Sequence, residues 1–159
     1  MRVSLLMLSI AGLAAPSAAA PPPGDQNAIF TAAGFVRSGG QWRTKDCMGL
    51  EGSSYSPGAI EAYKDLNSDG RPEAVVTEGS AICYGNTGTH FWLVSKQANG
   101  SWKRIVDETA MPEFTSTKGA GGWPDILLGG PGFCFPVLRW HGRAYVNHRF
   151  EYAGKPCKR

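Results

Sequence analysis

Seven short runs rich in β-branched and aromatic residues, separated by turn signals, constrain this chain most. They fall at 59–63, 74–77, 91–95, 102–106, 125–128, 135–140 and 145–152. Runs of this length between turn residues read as antiparallel strands. Asn99-Gly100 reads as a type I′ hairpin turn, because both central residues of that turn need positive φ. The same residues with Ser101 form a glycosylation sequon, but the turn is the preferred reading. His141-Gly142 plays the same part between Trp140 and Tyr145. One short helix is expected first, over 26–33, with Asp25 as its cap and Gly34 as its stop.

The runs repeat. Gly70-Arg71-Pro72-Glu73-Ala74-Val75-Val76 matches Gly122-Trp123-Pro124-Asp125-Ile126-Leu127-Leu128. Gly79 and Cys83 follow in one copy, Gly129 and Cys134 in the other. An aromatic-led run comes next in each, led by Phe91 or Phe135. Then come Gly100 and Trp102, or Gly142 and Tyr145. Gly40-Gln41-Trp42 reads as the remnant of a third copy. The expected fold is therefore mainly β: antiparallel meanders, two blade-like repeats at about 58–110 and 111–153, forming a sandwich or small open barrel after the helix.

The N-terminus sets the compartment. Arg2 precedes an apolar run over 3–15 and small residues through Ala20, the layout of a secretory signal peptide over 1–19. The run is shorter than the ~20 residues of a membrane span, so an uncleaved anchor is disfavoured. A lipoprotein is disfavoured because the first cysteine is Cys47. A Pro-rich leader, 20–24, reads as extended. The mature chain of about 140 residues suits one soluble domain, 25–159, in the periplasm or secreted. No second long apolar run predicts a membrane span there.

The full chain carries 16 basic and 13 acidic residues, net +3, and would lose Arg2 with the signal peptide. With no basic cluster, nucleic acid is excluded as a partner. Cys47, Cys83, Cys134 and Cys157 read as two disulfides in an exported chain. Spacing allows three connectivities. Stacking of the repeat copies would bring Cys83 to Cys134 and leave Cys47 with Cys157.

The chemically pointed segment is Asp65-Leu66-Asn67-Ser68-Asp69-Gly70-Arg71-Pro72-Glu73. Oxygen side chains stand at loop positions one, three, five and nine, and glycine at six permits the bend. The Arg71 carbonyl, at seven, adds a ligand. Three carboxylates and hard oxygens suit Ca²⁺ over zinc or copper. Position twelve is Val76, where an EF-hand has its bidentate Glu, so this is not an EF-hand. Continued through Ala74-Val75-Val76, the segment resembles the calcium loop of FG-GAP or VCBS-type repeats of integrin-like β-propeller blades. That resemblance implies Ca²⁺ held by Asp65, Asn67, Asp69, Arg71 and Glu73 inside a β-hairpin, in a structural role. It covers about a dozen residues closely, and the chain is too short for a propeller of roughly four blades or more. Against the metal stands an ordinary reading: Asp, Asn, Ser and Gly also make turns by bonding nearby backbone N–H groups. The second copy enters its strand through Thr117-Lys118-Gly119-Ala120-Gly121-Gly122 without those acids, which favours the metal. Asp125 matches Glu73, so the ninth-position acid is expected to be partly structural.

No other constellation carries chemistry. His90, His141 and His148 lack metal-ligand spacing. His148 is expected on one strand face with Val146, Phe150 and Tyr152, and His90 is the most plausible site histidine. There is no G-x-S-x-G elbow and no phosphate-binding loop. Of the tryptophans, Trp123 is expected to be the most exposed. The segments 79–89 and 115–122 read as long loops. The preferred function is a non-enzymatic binding or inhibitor-type protein with a protein or glycan partner in the envelope. The alternatives are a small hydrolase of cell-wall or sugar substrates, betrayed by two close carboxylates or a His–carboxylate pair near His90, and a structural envelope component.

Overall fold

The computed structural model describes residues 20–50 and 52–158, so the signal-peptide reading of 1–19 lies outside the described residues. The protein is mainly β and antiparallel, with a short helix ahead of the strands. Among the described residues no helix is long and apolar enough to cross a membrane.

Helix α1 runs over Pro23–Ala33, starting earlier than the sequence predicts. Pro23 opens it, since a proline there gives up an N–H that has no helical partner anyway. The leader is therefore not extended to its end. Asp25 lies inside the first turn and is not the cap. Its carboxylate takes Lys96 Nζ at 2.8 Å, Tyr63 Oη at 3.1 Å and Trp102 Nε1 at 3.4 Å, which pins the helix to the sheet. Gly34, at φ 97°, ends the helix as expected, its N–H capping Phe30 and Thr31 carbonyls.

A hairpin follows: β1 (Phe35–Ser38) and β2 (Gln41–Thr44). The first meander is β3 (Ser56–Lys64), β4 (Glu73–Gly79), β5 (Thr89–Lys96) and β6 (Trp102–Glu108), paired in that order. The second is β7 (Met111–Lys118), β8 (Pro124–Gly129), β9 (Phe135–Trp140), β10 (Tyr145–Tyr152) and β11 (Lys155–Pro156), also paired in sequence order. The segment 79–89 is not simply a loop: it holds α2 (Ala81–Tyr84) and a 3-10 turn.

The packing follows from alternation along β4 and β5. Ala74, Val76, Trp92 and Val94 face α1 and β1, against Ile29, Phe30, Ala33 and Phe35. Val75, Phe91 and Leu93 face the other way, with Val106, against Trp123, Ile126 and Leu138 of the second meander. These strands are buried on both faces, which is why they read as unbroken apolar runs. The layers are thus helix and hairpin, first meander, second meander.

Two further expectations are corrected here. The β5–β6 turn is not type I′. Gly100 has φ 82°, Asn99 is not in the positive-φ region, and Gly100 N–H bonds to Gln97 O at 2.9 Å. The Asn99 side chain accepts from Ser101 N instead, at 3.0 Å. The disulfides are Cys47–Cys83 and Cys134–Cys157, not the pairs expected from stacked copies. Cys83 and Cys134 hold matching places in different sheets, and a matching place is not a contact. Each bridge stays local. One ties the β2–β3 connection to α2, and the other ties the chain before β9 to the end of β11.

Candidate functional site

The 65–73 segment joins β3 to β4 as a tight hairpin loop. Asp65 turns its carboxylate inward. Oδ1 accepts from the Ser68 and Asp69 N–H groups at 2.7 and 3.3 Å, and Oδ2 from Gly70 N–H at 2.8 Å. Burial opposes its charge, but these amides prevail and hold its pKa below the usual value. Asn67 Oδ1 accepts from Asp69 N–H at 3.0 Å. Asp69 accepts from Arg71 N–H at 2.9 Å and from its guanidinium at 2.5 Å. Arg71 Nε also donates to Lys96 O at 3.1 Å. Ser68 and Gly70 both have positive φ, 66° and 82°, so the bend needs the glycine at position six.

Glu73 closes the loop. It is 1% exposed. Leu66 N–H donates to Oε2 at 2.8 Å and Ser95 Oγ to Oε1 at 2.9 Å. Its pKa is raised, first by burial and then by the charges of Asp69 and Asp65, against the pull of the two hydrogen bonds. Among the described residues no lysine or arginine hydrogen-bonds to it.

The second meander has a buried acid in the corresponding place. Glu73 stands opposite Ser95 across β4 and β5. Asp125 lies one step before Ile126, whose partner is Leu138, so it stands opposite Arg139 across β8 and β9. Asp125 is 0% exposed, yet Arg139 grips it through Nε and Nη2 at 2.9 and 2.8 Å, Arg149 Nη1 at 2.5 Å and Thr117 Oγ1 at 2.6 Å. Burial opposes its charge too, but these donors hold its pKa far below the usual value. The same fold position therefore carries two guanidinium groups beside Asp125 and only a hydroxyl and an amide beside Glu73.

The donor set of the loop suits a hard cation in kind: two Asp, one Glu, one Asn and the Arg71 carbonyl. In this geometry the loop's own amides and the Arg71 guanidinium take the acids. Among the described residues no three His, Cys, Asp or Glu side chains gather closely enough to hold an ion. The fit thus rests on Glu73, a buried carboxyl group with no lysine or arginine hydrogen-bonded to it among the described residues.

The loop also touches the second meander. Gly122, at φ 79°, comes so close that a Cβ there would lie 2.6 Å from Asn67 O. The next residue, Trp123, is buried and packs on Trp140 and Tyr145 at ring distances of 5.4 and 6.1 Å, so it is not the exposed tryptophan expected. Beside this junction lies a cleft of about 360 Å³, lined by Asn67 and Asp69 of the loop, Trp123, Trp140, Lys103 and Arg143 among others.

The histidines divide. His90 forms the His–carboxylate pair: Nε2 lies 2.6 Å from Asp107 Oδ1, while Nδ1 lies 2.8 Å from Thr109 Oγ1. Its ring packs between Tyr84 and Trp92. His148 is exposed at a β-bulge between Asn147 and Arg149, so the expected alternation breaks there. His141 sits in the β9–β10 turn. Sequence reasoning missed Glu78. It is 1% exposed and accepts from Thr44 N–H and Oγ1 at 3.1 and 2.6 Å, from Tyr55 Oη at 2.8 Å and from Tyr84 Oη. The only sequence signal is an acid at the end of an apolar strand run; its partners lie up to 34 residues away.

No family model, curated protein or solved structure matches the chain.

Proposed function

We propose that this protein is exported, periplasmic or secreted, and acts as a non-enzymatic binding protein whose first meander is held by Ca²⁺ in an FG-GAP-type loop. The ligands are the side chains of Asp65, Asn67, Asp69 and Glu73 and the carbonyl of Arg71. One observation carries this reading: Glu73 is buried without a cation where its counterpart Asp125 has two. When bound, the ion supplies the missing positive charge. The chain supplies the curl that keeps the odd-numbered oxygens inside, and Arg71 gives up Asp69. Two disulfides fit an oxidising compartment. A hydrolase reading would rest on His90 and Asp107, but both ring nitrogens of His90 are already engaged.

Calorimetric titration of the mature chain with Ca²⁺ tests the proposal. It is expected to give one ion per chain. Asp69→Ala should lose at least ~10-fold in affinity, one charge-assisted ligand being worth ~1.5–3 kcal/mol. Arg71→Ala should keep or improve affinity, because it removes a competitor for Asp69 and leaves the carbonyl. Absence of binding, or equal binding by wild type and Asp69→Ala, would overturn it.

A further inference from the structure

The cleft between the meanders has an uneven supply of charge. Its one acid, Asp69, is paired with Arg71, which lines the same cleft, and with Ca²⁺ bound the ion takes Asp69 and leaves the Arg71 guanidinium in the cleft as a further cation. Lys103, on the edge strand β6, and Arg143, in the β9–β10 turn, are both exposed, and neither side chain makes a hydrogen bond or ion pair with a described residue. They reach the same cleft from different sheets. What remains unspent there is positive charge.

Beside these cations stands an aromatic wall of packed rings. Trp140 packs on Trp123 and on Tyr145, with ring centroids 5.4 and 5.3 Å apart. Trp123 is buried, and its neighbour Gly122 runs so close to the Asn67 carbonyl that a Cβ there would lie 2.6 Å from it. Tyr145 Oη is fixed to Pro124 O at 2.9 Å. A packed indole wall offers an apolar face at little entropic cost, and its polar rim confers orientation. The volume falls within the roughly 300–1,000 Å³ of small-molecule sites.

From this geometry we infer that the cleft binds an acidic saccharide. A hexuronic-acid ring lays its C–H face on Trp140, and its carboxylate sits between Lys103 and Arg143. Arg143 offers the carboxylate a planar fork of donors, and Lys103 a point charge. A neutral sugar would form no ion pair with these exposed cations, and a flat aromatic acid would make no use of the polar groups that line the rest of the cleft. The inference rests on the binding-protein reading and names its ligand class.

The test is a titration of the mature protein, with Ca²⁺ present, followed by tryptophan fluorescence and by the indole N–H resonances. The probes are trigalacturonate, the neutral galactose trimer and benzoate. Trigalacturonate should bind at least tenfold more tightly than either control and shift the Trp123 and Trp140 signals. Lys103→Ala and Arg143→Ala should each weaken it about tenfold without moving the thermal midpoint, as neither side chain supports the fold. Equal affinity for the acidic and neutral trimers, binding by neither, or shifts confined to Trp42 and Trp102 would overturn the inference. If the saccharide fails while calorimetry still detects one Ca²⁺ per chain, only this inference falls. If Ca²⁺ binding fails as well, the reading beneath it falls too.

Discussion

Asp125 and Glu73 show how one position can be stabilised in opposite ways. Asp125 is ionised because two arginines hold it, and its lowered pKa makes it a source of stability at neutral pH. That stability is fully present above the ordinary carboxylate range and is lost progressively as pH falls from there through the lowered value of Asp125 itself. Asp25, lowered chiefly by the Lys96 hydrogen bond, acts in the same direction. Glu73 has the reverse sign: its pKa is raised, so its contribution is greatest below the ordinary range and is lost as pH rises through its own value. Two outcomes follow. Asp125→Ala strands Arg139 and Arg149, each about a quarter exposed (27% and 24%). Partial exposure lowers the usual cost of breaking a buried pair, so denaturant unfolding should register a loss of about 2–3 kcal/mol. Without Ca²⁺, Glu73→Gln keeps the shape and removes the charge. Its stability relative to wild type should improve as pH rises from the ordinary glutamate value through the raised value of Glu73. A constant difference across that range would contradict the burial of an unbalanced charge.

The elements meet through close backbone approaches that only particular residues permit. Gly122→Ala places a methyl group 2.6 Å from the Asn67 carbonyl at a residue with φ 79°. The substitution should cost roughly 1–3 kcal/mol and loosen the calcium loop. Gly121→Ala is the control: it also has positive φ, 62°, but its Cβ meets only Trp123 Cδ1 at 3.7 Å. Thermal melts of the two variants separate the contact from the φ penalty. The elements legible in the sequence are those whose side-chain pattern matches their surroundings. Strands β4, β5, β8 and β9 are apolar because they are buried, and the helix stop at Gly34 follows from αL geometry. The rest depends on pairing. Strand β7 carries Pro112, which has no N–H to give, and survives because it is an edge strand. The β1–β2 hairpin is stabilised by packing, with Trp42 stacked 4.7 Å from Phe30. The 65–73 loop was legible as a motif from its spacing. The cleft beside it was not, because Lys103, Trp140 and Arg143 converge only when the two sheets meet.

At the scale of the molecule, the chain passes once from the first meander to the second, between β6 and β7. The two then share a core around Phe91, Leu93, Ile126 and Leu138. The disulfides do not cross that interface. Apart from the β6–β7 crossing, apolar packing and the junction of the 65–73 loop with Gly122 hold the halves together. An ion in the loop would therefore stabilise the folded chain as a whole. Linkage sets the size: a ligand at a hundredfold excess over its Kd adds ~2.7 kcal/mol. For a chain of this length that is roughly 5–10 °C in Tm. The most direct measurement is thermal unfolding of the mature protein and of Glu73→Gln, each in a chelator and in excess Ca²⁺. The account predicts a rise of that size for wild type and little or none for Glu73→Gln. An unchanged wild-type midpoint, or an equal rise in both proteins, would contradict it.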